Sequence, residues 1–254
     1  MKTTKIEWTE QTWNPSVGCS KISAGCANCY AKVMARRLKA MGVKGYENEF
    51  EFTLLPHRLE QPLKIKKPTM FFVNSMSDLF HEKMPFEYLD KVFDVIGRTP
   101  QHNYQILTKR AEIMFEYFRN RHVPENAWLG VTVENRKVKN RIAFLKKINA
   151  KTRFLSMEPL LEDPGALQLS GIHWVIVGGE SGIKARPMKR SWVTSIKEQC
   201  DRQNVAFFFK QWGAWGQDGI KRNKKLNGRK LNGNIYNNFP ETSKTVEIKQ
   251  FQVQ

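Results

Sequence analysis

Short apolar blocks that end in polar or charged residues recur along the chain, most of them separated by segments of helical periodicity. Residues 69–75 contain M-F-F-V and end in Asn74 and Ser75; residues 104–107 run into Thr108, Lys109 and Arg110. Residues 128–133 end in Glu134 and Asn135, 152–155 in Ser156 and Glu158, 174–177 in Gly178, Gly179 and Glu180, and 205–209 in Lys210 and Gln211. Compact runs of this kind suit buried parallel strands. Residues 5–9 read as a shorter strand, which makes seven. Between them lie the helices. Tyr30, Val33, Met34, Leu38 and Met41 recur at helical spacing, with Gly42 where a C-terminal cap belongs. Pro85 opens a helix that turns Phe86, Leu89, Val92, Phe93 and Ile96 inward and stops at Gly97 and Pro100. Residues 111–121 follow, with Ile113, Met114, Tyr117 and Phe118 inward, then a helix ending near 148 and another over 191–203. Residues 45–67 carry Pro56 and Pro62 and read as a connection with one short helix over 56–61. Residues 162–171 leave room for a turn or two of helix at most.

Strands alternating with helices indicate βαβ units and a parallel sheet, so the expected class is α/β, a barrel or partial barrel in one domain over residues 1–213. Such sheets bind ligands beyond the C-terminal ends of their strands, where the polar residues fall. From residue 214 the composition shifts to Gly, Asn and Lys, with eight Lys or Arg against three Asp or Glu up to residue 254. Turn signals G-Q-D-G, N-G-R and N-G-N predict a small basic hairpin lid reaching about residue 240, followed by a frayed or disordered tail from 241.

Charge adds a partner class. The chain carries 42 Lys and Arg against 24 Asp and Glu, a net +18. That balance favours a polyanion, nucleic acid or nucleotide first, although a basic surface can also serve solubility alone. No run of about 18 apolar residues is present to span a membrane. The N-terminus lacks the apolar core of a secretory leader, so the expected location is the reducing cytoplasm. No phosphate loop, serine triad or paired-acid spacing supports a kinase or hydrolase.

The cysteines supply the chemistry. Cys19, Cys26 and Cys29 lie in W-N-P-S-V-G-C-S-K-I-S-A-G-C-A-N-C-Y, residues 13–30, with six residues and then two between them. Three thiolates on one loop can hold three irons of a [4Fe-4S] cluster and leave the fourth open, whereas a closed structural zinc site takes four ligands. Zinc held by the three thiolates and a histidine remains an alternative, and disulfides or unrelated buried thiols are weaker ones. Cys200, alone on a helix, reads as core.

The chain resembles a family of phage-associated proteins of unknown function and, through them, the radical S-adenosylmethionine enzymes. The resemblance rests on I-E-W-T-E-Q-T-W-N-P at 6–15, the cysteine loop, N-S-M-S-D-L-F-H at 74–81 and L-T-K-R at 107–110. It continues through S-M-E-P-L-L at 156–161, G-G-E-S-G at 178–182 with Arg186 and Pro187, and F-F-K-Q-W-G at 208–213. That superfamily usually spaces its cysteines by three residues and two, with an aromatic before the last; here the first gap is six and Tyr30 follows. The resemblance implies a partial (β/α) barrel, a [4Fe-4S] cluster on Cys19, Cys26 and Cys29, S-adenosylmethionine on the open iron, and an external electron donor.

The strand ends then become candidate contacts. Asn74, Ser75, Glu134, Glu158, Gly178, Gly179 and Glu180 are candidates for the cofactor, the carboxylates because they match an ammonium group. Asp78, His81, Lys109, Arg110, Arg186, Lys210 and Trp212 are candidates for the substrate, with the cations placed for phosphates and Trp8, Trp13, Trp212 and Trp215 for stacking a base. In the zinc reading His81 is the fourth ligand. G-G-E is also readable as a tight turn. The function expected is radical modification or repair of a nucleic-acid base or nucleotide. A zinc-stabilised nucleic-acid-binding protein and a cluster enzyme acting on a small metabolite are the alternatives.

Overall fold

Seven strands pair side by side, all parallel, in chain order: β1 Gln11–Trp13, β4 Met70–Val73, β5 Asn103–Thr108, β6 Ala127–Thr132, β7 Thr152–Met157, β8 Trp174–Gly178 and β9 Ala206–Gln211. A computed structural model describes Thr4 and residues 6–241 of the chain. The sheet curls into a half-barrel of the expected α/β class. Two further strands, β2 Ser16–Val17 and β3 Thr53–Leu54, pair antiparallel beside the first crossover.

Alternation along the strands sorts side chains onto two faces. Phe71, Val73, Tyr104, Ile106, Leu129, Val131, Leu155, Val175, Phe207 and Phe209 point outward and share one core with the crossover helices. These helices are α2 Phe86–Gly97, α3 Ala111–Phe118, α4 Asn140–Lys147 and α5 Arg190–Arg202. The alternate positions Phe72, Trp128, Phe154, Trp174, Ile176 and Phe208 face inward and pack with Trp8 and Met70. Trp128 and Trp174 meet edge to face at 6.1 Å, and Phe239 stacks on Trp174 at 4.9 Å. Gly130 is required among them, because a Cβ there would lie 2.4 Å from the Phe154 ring. Aromatic packing therefore fills the concave face near the N-terminal ends of its strands and leaves the polar C-terminal half as the place for chemistry.

Several local expectations change. Residues 7 and 8 lie in a turn, and the first strand falls later, at β1, because its register is set by pairing with Phe71, Phe72 and Val73. Helix α1, Tyr30–Ala40, forms as expected, but it buries Ala31 and Ala35 and leaves Tyr30, Val33, Met34 and Met41 exposed. Small residues let it lie close to its neighbours and turn the larger side chains out. The connection over 45–67 holds two 3-10 turns, Pro56–Arg58 and Pro62–Lys64, in place of one helix. No helix forms over residues 158–173.

The basic extension turns back on itself without a continuous hairpin ladder. Isolated antiparallel bridges Trp215–Lys221 and Leu231–Asn234, with one short helix, α6 Lys224–Asn227, hold it in place of a ladder. It is nevertheless fastened down: Leu231 is buried, the Trp212 indole donates to Lys230 O at 2.8 Å, and Asn227 Nδ2 donates to Gly213 O at 3.0 Å. The tail expected from 241 lies, beyond that residue, outside the described residues.

Candidate active site

Cys19, Cys26 and Cys29 are each partly exposed and line one cavity of about 510 Å³, together with Ser20, Lys21, Lys32, Lys39, Asn48, Glu49 and Phe50. Gly18 makes the approach to Cys19 feasible. Its φ is +79°, and a Cβ there would lie 2.0 Å from Glu51 O, so only glycine lets the loop cross that backbone. Cys19 N donates to Phe50 O at 3.1 Å. Burial pushes the Cys19 thiol up, with Asp78 adding to the rise and Arg110 opposing it, to about 11. Cys200 is buried within α5, as expected of a core thiol, and burial lifts it to about 12.

Strand ends hold the loop from several sides. Beyond β4, Asn74 accepts from Ser16 N at 3.3 Å and donates to Ser16 Oγ at 2.9 Å, while Ser75 Oγ donates to Asn14 Oδ1 at 3.1 Å. Tyr30, an exposed residue, donates its hydroxyl to Ser75 O at 2.5 Å. Beyond β6, the fully buried Glu134 accepts from Gly25 N at 3.1 Å and from Arg141 Nη1 at 2.9 Å. Burial alone would raise the Glu134 carboxyl, but Ser23, Arg141 and the Gly25 N–H outweigh it and keep it below the ordinary value. Beyond β8, Glu180 accepts from Asn28 Nδ2 at 3.0 Å and from Arg186 Nε and Nη2 at 2.9 and 2.6 Å. Arg186 Nη2 also donates to Ala24 O at 3.0 Å. Burial again pushes the Glu180 carboxyl up, and Arg186 and Asn28 overcome it.

Arg110, beyond β5, reaches the sulfur itself. Its Nη1 lies 3.5 Å from Cys19 Sγ and 3.1 Å from Asp78 Oδ2, its Nε donates to Glu82 at 2.7 Å, and its Nη2 donates to Ser20 Oγ at 2.7 Å. Asp78 also accepts from Thr108 Oγ1 at 2.6 Å and Lys109 N at 3.1 Å. His81 is 2% exposed and stacks on Phe52 at 4.3 Å. Its Nδ1 accepts from Lys83 N at 3.1 Å, which places the proton on Nε2, 3.2 Å from Ser20 Oγ. Both ring nitrogens therefore already have partners, Lys83 N at Nδ1 and Ser20 Oγ at Nε2.

A smaller set faces the concave side without hydrogen-bonding the loop. Lys210 Nζ sits 2.7 and 3.0 Å from the two Glu158 oxygens, and Lys109 Nζ donates to Thr132 Oγ1 at 3.3 Å. Gly178 lies flush against Glu158, where a Cβ would come within 3.2 Å of the carboxyl carbon. Gly179 serves packing between strand ends, because its missing Cβ leaves the space that Trp212 O fills. Trp212 is buried against Phe209, and Trp8 and Trp13 are equally buried, so these three are core and offer no stacking surface. Trp215 is half-buried and donates to Ala185 O at 2.7 Å. The residues that sequence reasoning missed are Asn14, Ser16, Ser20, Asn28, Glu82, Thr132 and Arg141. Arg141 alone left a readable signal, a charge on the inward face of a helix beside Ile142 and Leu145.

Three thiols on one cavity make a donor set that would fit a [4Fe-4S] cluster, one thiolate to each of three irons. Among the described residues no three His, Cys, Asp or Glu side chains are gathered as a group that could hold a metal ion.

Solved structures of spore photoproduct lyase share this fold. One, complexed with dinucleoside spore photoproduct, matches with a TM-score of 0.50 at 14% identity, over 79% of this chain and 63% of that one, so the chain spans less than two thirds of its length. Another, a cysteine-to-serine mutant, matches with a TM-score of 0.51 at 17% identity, over 87% of this chain and 69% of that one. At such identities the likeness is one of fold, and it carries no sign of the phage association that the sequence resemblance implies. No curated protein matches the chain. Residues 3–240 match the model of a family described as Protein of unknown function (DUF5131), and the chain belongs to that family.

Proposed function

We propose that the chain is a radical S-adenosylmethionine enzyme that holds a [4Fe-4S] cluster on Cys19, Cys26 and Cys29 and acts on a nucleic-acid base or nucleotide. The observation that carries the reading is the cysteine loop, three thiols on one cavity, fastened by strand ends over the C-terminal side of a parallel half-barrel. When bound, the cluster and S-adenosylmethionine supply one-electron chemistry fed by an external electron donor. Cys19, Cys26 and Cys29 would hold the irons, and Arg110 orients Cys19. Glu158 and Lys210 offer opposite charges on the concave side, which match the ammonium and carboxylate of an amino-acid moiety. Aromatic packing below them keeps water out of the lower half of the face.

The nucleic-acid part of the reading rests on the +18 charge, and the dinucleoside spore photoproduct held by one of the spore photoproduct lyase structures agrees with it. The test is incubation of the anaerobically reconstituted, reduced protein with S-adenosylmethionine. Slow release of 5′-deoxyadenosine without substrate is expected. S-adenosylhomocysteine alone would indicate methyl transfer, and no turnover from a fully clustered sample would contradict the proposal.

A further inference from the structure

The basic extension and the loop after β8 enclose a second cavity of about 510 Å³, lined by Ser181, Gly182, Ile183, Ala214, Lys221, Arg222, Asn223 and Lys224. One wall is continuous with the cysteine loop, because Lys184 O, next to Ile183, accepts from Asn28 Nδ2 at 2.9 Å. The other wall is rigid: Ala214 N donates to Glu180 O at 2.9 Å, and Gly213, at φ +80°, packs so closely that a Cβ would lie 2.2 Å from Glu180 O. Lys221 Nζ donates to Ile183 O at 2.5 Å and joins the two walls.

Charge on this groove is one-sided. Lys221, Arg222, Lys224 and Lys225 are all exposed, and the acidic neighbour Asp218 pairs bidentately with Arg222 at 2.9 and 2.6 Å. Among the described residues, the three lysines have no carboxylate partner on the same wall. Ile183, 91% exposed, adds an apolar contact at the rim. None of the lining cations is buried, as a pocket built to trap one small anion would require. Several exposed cations along an open groove instead suit a chain of phosphates, whose binding releases counterions at each contact.

We propose that this groove carries the phosphodiester backbone of a single-stranded nucleic acid and leads it past the cysteine loop. The inference rests on the reading of a nucleic-acid substrate above and gives it a place. A single strand is the form chosen because a base must leave its stack to reach a recessed centre.

The experiment is fluorescence anisotropy of a labelled single-stranded oligonucleotide with the reconstituted protein across a salt series. Wild type is compared with the double variant Lys221→Ala with Lys224→Ala, and with Lys66→Ala with Lys67→Ala, which removes two exposed lysines at the opposite, N-terminal end of β4. The groove variant is expected to bind about tenfold more weakly at low salt and to lose about 1.4 from the slope of log affinity against log salt, or ~0.7 per phosphate contact. The Lys66/Lys67 variant is expected to bind as wild type. Unchanged binding by the groove variant, or equal losses in both variants, would overturn the proposal, as would displacement of the oligonucleotide by a mononucleotide at equal phosphate concentration. Iron content decides the cluster reading and oligonucleotide affinity decides the groove, so either can fail without the other.

Discussion

The C-terminal edge of the sheet has two parts that look alike in sequence and differ in what they touch. The ends of β4, β5, β6 and β8 bond the cysteine loop through Asn74, Arg110, Glu134 and Glu180. The ends of β7 and β9 bond each other through Glu158 and Lys210, and among the described residues neither side chain hydrogen-bonds the loop. Polar residues at the mouth of a half-barrel are therefore of two kinds, those that hydrogen-bond the cysteine loop and those that pair with one another. The candidate carboxylates divide accordingly: Glu134 and Glu180 hydrogen-bond the loop, and Glu158 pairs with Lys210.

The largest expected effect comes from breaking the first group. Glu134→Ala leaves the Arg141 guanidinium buried without its carboxylate, and Arg110→Ala does the same to Asp78, so each is expected to cost about 3 kcal/mol of folding stability. Denaturant unfolding of the iron-free protein measures the cost, and iron retention of the same variants is expected to fall with it. A stable Glu134→Ala protein with full iron content would remove the distinction between the two parts of the edge.

Smaller effects are expected from the second group. The Glu158–Lys210 pair is partly solvated, so Glu158→Ala or Lys210→Ala should change stability by about 1 kcal/mol or less and leave iron content as in wild type. Weaker binding of S-adenosylmethionine is the expected phenotype, read by equilibrium dialysis against the clustered protein. Loss of iron with unchanged cofactor binding would place this pair among the anchors.

The fold was legible where local pattern and tertiary burial agree. M-F-F-V in β4 and W-V-I-V in β8 are apolar on both faces because both faces of those strands are covered. β1 was misplaced because Gln11, Thr12 and Trp13 have one fully buried position among them, so no local pattern marks the strand and pairing with β4 decides it. β2 and β3, two residues each, are too short for any period. On α1, apolar spacing pointed to Tyr30, Val33 and Met34, whereas Ala31 and Ala35 make the contact, since close approach favours small residues over large ones.

At the site, the three cysteines were readable from their own spacing, and the chemistry-bearing strand ends were readable from composition. Their roles were not. Glu134 meets Gly25 across 109 residues and Glu180 meets Asn28 across 152, and a carboxylate bound to a backbone N–H has the same sequence signature as one awaiting a ligand. The same ambiguity affected Trp212, whose indole donor is satisfied by Lys230 O within the core.

Whether three thiols on one loop hold a cluster is decided by iron and acid-labile sulfide analysis after anaerobic reconstitution. About four irons and four sulfides per chain are expected in wild type and in Cys200→Ala, with loss of both when Cys19, Cys26 or Cys29 becomes Ala. One zinc per folded chain and no iron uptake would rule the cluster out in favour of a zinc site.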